Sequence, residues 1–162
     1  MHDEQLIALI RGAFADVTLG EGVGLREGMA MDGYKSDAEQ AIERQADEKH
    51  DWPRIPDEDL KRYSCALCYM DEEGMRFHIP AFMLADIKRS TRVCLFHLTS
   101  LDEYTLSQFG LLTAAQRGAV IAYLRWSREQ YDNYPDRDAI DRALREYWEL
   151  PAHDFASRFL RE

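Results

Sequence analysis

Apolar residues Leu6, Ile7, Ile10, Ala13, Phe14 and Val17 recur at intervals of three and four. That stripe predicts an amphipathic helix with Asp3 as its cap, ending near Gly20. LGEGVGLREG follows, and its four glycines predict a loop over at least part of its length. Ser36-Asp37-Ala38-Glu39 has the spacing of a capping box, so a second helix is expected to run to about Lys49. Its apolar side, Ala38, Ala41 and Ile42, is thin, which predicts a peripheral helix with a broad solvated face.

HDWPRIPDED breaks the periodicity with two prolines, and Asp57, Glu58 and Asp59 place negative charge where a helix N-terminus favours it. Tyr63, Ala66, Leu67 and Met70 then fit a third helix over 58–70, with a strand as the competing reading. Met75, Phe77 and Ile79 alternate with Arg76 and His78, the period of a short strand over 75–79 that Pro80 ends. Pro80 could also open a short helix through Ile87. RVCLFHLTS is apolar on both sides and rich in strand formers, so a second, buried strand is expected over 92–99. Thr113 and Gln116 form another capping box ahead of a helix carrying Val120, Ile121, Tyr123, Leu124 and Ser127 to about Tyr131. After the turn DNYPDRD, a last helix carries Ile140, Ala143, Leu144, Tyr147 and Trp148, with Asp138 and Asp141 each four residues before an arginine. Pro151 sets off a tail, 151–162, whose Phe155, Phe159 and Leu160 are expected to dock on the body. The sum is an α+β fold, mostly helical, with a small sheet of the 75–79 and 92–99 segments.

A chain of 162 residues suits one globular domain. No apolar run reaches the roughly 20 residues of a membrane span, and the first residues are acidic rather than basic, so neither a span nor a secretion signal is expected. Three cysteines, Cys65, Cys68 and Cys94, are too few for a disulfide framework and fit a reducing cytoplasm. The formal charge of -10 argues against nucleic acid, which requires clustered cations. Residues 1–75 carry 18 Asp or Glu against 8 Lys or Arg, whereas 76–162 carry 12 of each, so the whole excess lies in the first half.

Cys65, Cys68, His78 and His97 are the candidate chemistry. On a helix the two thiols would share a face and could bind a metal, whereas on a strand they would point apart. The histidines are scattered along apolar segments, and no activating turn accompanies any thiol. These residues therefore read as core material, with neither metal nor cofactor expected. The glycines at 20, 22 and 24 lack a preceding strand and a following Gly-Lys-Ser/Thr, so they read as a structural loop rather than a phosphate cradle. The sharper reading is electrostatic. An acidic face around Glu39, Glu43, Asp47 and Asp51, with Trp52 as an aromatic anchor, would steer a basic protein partner, with the Gly20–Gly28 loop as a second contact. The competing reading of Trp52 is a ring that pins the proline loop to the core.

GVGLREG (22–28), DWPRIP (51–56), EGMRFHIPAFMLADI (73–87), LFHLTS (95–100) and LLTAAQRGAVIAYLRW (111–126) occur in that order. In that combination, over most of residues 5–128, the chain resembles a family of small bacterial proteins of uncharacterised function. The resemblance brings no catalytic residues. It implies that similar members often lack cysteine at the positions of Cys65 and Cys68, which weakens the metal reading further, and that the aromatic-Pro-Ala-Phe-Met run is a signature of the fold. Small acidic proteins without an active site include immunity proteins. A non-enzymatic immunity protein that occludes a basic toxin is thus the expectation. A small metal-dependent or thiol enzyme using Cys65, Cys68, His78 and His97 is the alternative, and a subunit of a larger assembly a third.

Overall fold

The centre of the computed structural model, which describes residues 1–151, is a 16-residue helix at Glu72–Ile87 in which nearly every residue from Gly74 to Ile87 is buried. Around it, in chain order, stand α1 (Asp3–Ala13), α2 (Leu25–Asp32), α3 (Asp37–Gln45), α4 (Asp57–Arg62), the central helix as α5, α6 (Val93–Thr99), α7 (Glu103–Ser107), α8 (Ala114–Glu129) and α9 (Arg137–Ala143). Short 3-10 turns lie at Trp52–Arg54, Ser64–Tyr69 and Tyr131–Asp136, and α9 continues into a π turn at Leu144–Trp148. No strand occurs among the described residues, so the expected α+β fold is corrected to an all-helical one. One core cluster runs from Leu6 to Trp148.

Both expected strands are helices, for the same reason. In α5 the alternation of Phe77 and Ile79 with His78 is not an inside-outside pattern, because His78 is as buried as its apolar neighbours. A helix packed on every side carries no periodic signal and cannot be told from a buried strand by pattern alone. Pro80 does not end the element but sits inside it, leaving the carbonyl of Arg76 without its usual amide partner. In the second segment Cys94, Leu95, His97 and Leu98 are buried and Phe96 is exposed, so helical geometry turns one residue outward. The start of α6 is fixed from outside: the Asp86 carboxylate on α5 accepts the Cys94 amide at 3.1 Å.

Both expected capping boxes hold. Ser36 with Glu39 starts α3, and Thr113 with Gln116 starts α8, each in the reciprocal geometry their spacing predicts. The cap of α1 is His2 rather than Asp3, whose carboxylate instead accepts the Trp126 indole N–H at 2.8 Å. The 58–70 segment is helix α4 followed by a 3-10 turn rather than one helix. The glycine-rich stretch is loop only as far as Gly24, after which α2 begins. The tail bearing Phe155, Phe159 and Leu160 lies outside the described residues.

Candidate functional site

Helices α2 and α3 form a hairpin, and α3 buries none of its residues. Ile42 on α3 is 63% exposed, and Tyr34 in the connecting turn is 95% exposed. Tyr34 sits at φ 54°, in the left-handed region that glycine ordinarily fills after a helix C-terminus. The turn is closed by the Lys35 amide donating to the Ala30 carbonyl at 2.9 Å and that of Tyr34 to Met31 at 3.0 Å. Between the helices lies an open groove of about 400 Å³ with Met29, Ala30, Ile42 and Tyr63 on its walls. Its rim is ionic. Arg26 pairs with Glu43 at 3.2 Å, and Lys35 with Glu39 at 4.0 Å.

The five acidic and aromatic residues singled out in the sequence do not gather into one patch. Glu39 and Glu43 reach the groove rim, although Glu39 also closes the α3 capping box, and the Ser36 amide and hydroxyl hold its carboxyl below the usual range. Asp47 is buried and turned inward, accepting the Arg26 amide at 2.7 Å and the Glu27 amide at 3.2 Å, which makes it the cap of α2 across 20 residues of chain. Burial raises its carboxyl pKa against the lowering effect of those two amides. Asp51 is exposed beside the Trp52–Arg54 turn. Trp52 is buried, its indole N–H donating to the Phe14 carbonyl at 2.9 Å, so the ring pins the proline segment to the core and offers no anchor at the surface. The Gly20–Gly28 loop is likewise clamped: Arg44 donates to the carbonyls of Gly20 and Gly22 and pairs with Glu27 at 3.1 Å.

The thiols and imidazoles also lie apart in role. Cys65 and Cys68 are exposed on the Ser64–Tyr69 turn, whereas Cys94 is buried in α6. Partial desolvation pushes the thiol of the exposed Cys68 up, with Cys65 and Asp32 adding to it, and full burial pushes that of Cys94 further. Both shifts move away from the thiolate that a nucleophile needs. The His78 Nδ1 lies 2.7 Å from the Gly74 carbonyl, and burial lowers the ring to about 4. Burial lowers His97 as well. Among the described residues, no three His, Cys, Asp or Glu side chains are grouped to hold a metal ion.

Sequence reasoning missed a cleft of about 450 Å³ where α5, α6 and α8 meet the Tyr131–Asp136 turn. Tyr123, Trp126 and Leu95 form its apolar wall, and Asp86 lies on its floor. Asp86 accepts bonds from the Tyr123 hydroxyl at 2.9 Å, the Cys94 amide and the Thr91 hydroxyl, and burial raises its carboxyl despite them. At the mouth, Arg89 and Arg92 share Asp132 at 3.6 and 3.8 Å. The carboxylate is occupied in holding three elements together, which is a structural task. The signal in sequence was the dense KRSTR turn after an apolar run, legible only once both flanking segments are known to be helices.

The chain belongs to a family of unknown function, DUF6714, whose sequence model matches residues 2–151. No curated protein and no solved structure matches it. Among the described residues, no helix is long and apolar enough to cross a membrane.

Proposed function

We propose that this is a non-enzymatic binding module that takes a basic protein partner on its α2–α3 face. The observation that carries the reading is an exposed Ile42 and Tyr34 on a hairpin whose second helix buries nothing. A helix that contributes no residue to the core gains its stability elsewhere, and a bound partner is one source. An amphipathic segment laid in the groove would cover Met29, Ile42 and Tyr63. The net charge of -10 favours a basic partner over a neutral one during encounter. At the rim, its lysines or arginines would exchange with Lys35 and Arg26 for Glu39 and Glu43. The immunity-protein form of this reading, with a toxin as partner, rests on charge alone.

The test places a photo-cross-linking amino acid at position 34 or 42, and at Leu9 on α1 as control, in cells of the native host. A common protein joined to positions 34 and 42 but not to 9 is expected. Binding of that purified protein should then weaken about tenfold or more in Ile42→Glu, the loss typical of one central anchor. Equal labelling from position 9, or full affinity in Ile42→Glu, would overturn the proposal.

A further inference from the structure

Among the described residues, Arg76 on α5 is a guanidinium without a hydrogen-bond or ion-pair partner. Its Nε–H is buried and finds no acceptor to donate to, and among the described residues no ion pair neutralises the side chain. A charged donor left unmatched is costly, so such a group calls for an explanation by water or an ion. Arg76 lines a separate pocket of about 330 Å³ between the end of α1 and the start of α8, which shares no lining residue with the α2–α3 groove.

The other walls of that pocket supply donors as well. Gln116 is only 5% exposed, and its Oε1 is used in accepting the Thr113 amide at 3.0 Å, while its side-chain NH2 has no acceptor among the described residues. The Thr113 hydroxyl accepts the Gln116 amide at 3.2 Å, which leaves its own proton to donate. Thr18 adds a second hydroxyl at the rim. The first turn of the 16-residue α8 contributes the positive end of a helix dipole on the same side. One carboxylate, Asp16, opposes this set.

We propose that the pocket is a binding site for a phosphoryl group, either free phosphate or the phosphate of a small metabolite. The unspent donors come from three directions, α5, α8 and the loop after α1, which suits a tetrahedral anion with several oxygens better than a planar carboxylate. Asp16 lowers affinity, and it makes the site selective for an anion that can spare one oxygen as a protonated hydroxyl. This assignment is independent of the partner proposed for α2–α3.

The test is a titration of the whole protein with inorganic phosphate, followed by amide chemical shifts in NMR, with sodium chloride at matched ionic strength and sodium acetate as parallel arms. Saturable shifts confined to Thr18, Arg76 and Thr113–Gln116, below about 10 mM phosphate, are expected. Arg76→Gln should weaken binding about tenfold or more, and Asp16→Asn should tighten it several-fold. Because Arg76→Gln could disturb the core, Thr18→Val at the exposed rim serves as a second weakening variant, and Asp16→Asn as one that a merely structural role would leave unchanged. If binding is confirmed, phosphate and a phosphate monoester such as glycerol phosphate, compared side by side, distinguish the two sources. Absence of saturation, equal shifts with chloride, tighter binding of acetate, or unchanged affinity in both Arg76→Gln and Asp16→Asn would overturn the proposal.

Discussion

Gly24 shows how much one missing side chain can matter. A Cβ at this position would fall onto the Asp47 carboxylate, the group that caps α2. Both groups are buried, so neither can step aside into solvent. Gly24→Ala should therefore destabilise the protein by about 2–4 kcal/mol, through the clash and the loss of two charge-assisted hydrogen bonds. Urea unfolding would measure it, and a loss below about 1 kcal/mol would mean that the loop adapts. Tyr34 makes the opposite case. Left-handed backbone costs a residue with a Cβ about 1 kcal/mol, so Tyr34→Gly should leave the fold as stable as before or more so. If the α2–α3 proposal holds, the same change should weaken partner binding, separating function from stability in one variant. His78 sets a pH dependence. Its pKa falls from an ordinary 6.5 to about 4 on folding, so the unfolded chain takes up the proton first as pH drops. Stability from this residue is complete above about pH 7 and is lost progressively between 6.5 and 4, amounting to at most about 3 kcal/mol. His78→Gln should flatten that part of the stability profile, whatever its effect at pH 7.

Among the elements, α5 carries the most information about what a sequence discloses. Capping boxes at Ser36 and Thr113 were legible because they are local, four-residue chemistry that does not depend on the rest of the fold. The peripheral character of α3 was legible too, since a thin apolar stripe states how little a helix can bury. The identity of α5 and α6 was not, because burial on every side erases the contrast between faces from which period is read. Pro80 reinforced the error by resembling a terminator. The candidate site was legible in part. Glu39, Glu43 and Ile42 do reach one groove, but the inward turn of Asp47 and Trp52 depends on contacts 20 and 38 residues away. Pro80→Ala tests the element directly. Restoring the helical hydrogen bond should gain about 3 kcal/mol, set against about 1.6 for two buried methylenes lost and about 0.7 for a freer unfolded chain. A net gain of about 1 kcal/mol in urea unfolding is expected. A loss of similar size would show that the packing of the proline ring outweighs the missing hydrogen bond.

At the scale of the molecule, the acidic first half has an architectural origin. Ten of its 18 carboxylates, Asp3, Glu4, Glu27, Asp37, Glu39, Asp57, Glu58, Asp59, Glu72 and Glu73, lie in the first turns of α1 to α5. Negative charge there complements the helix dipole, so much of the excess reflects five helix starts crowded into 75 residues. The field it projects still acts on a partner at long range, yet reversing individual charges would disturb helices as well as encounter.

The two innermost tryptophans offer a built-in spectroscopic readout. Trp52 hangs on the carbonyl of Phe14 in the first half of the chain, and Trp148 on that of Leu98 in the second. Each indole thus reports the intactness of its own neighbourhood. With Trp126 replaced by Phe throughout, a further Phe at 52 or at 148 leaves one emitter in one half, and the two melting curves would reveal whether the halves melt as one cooperative body or in succession.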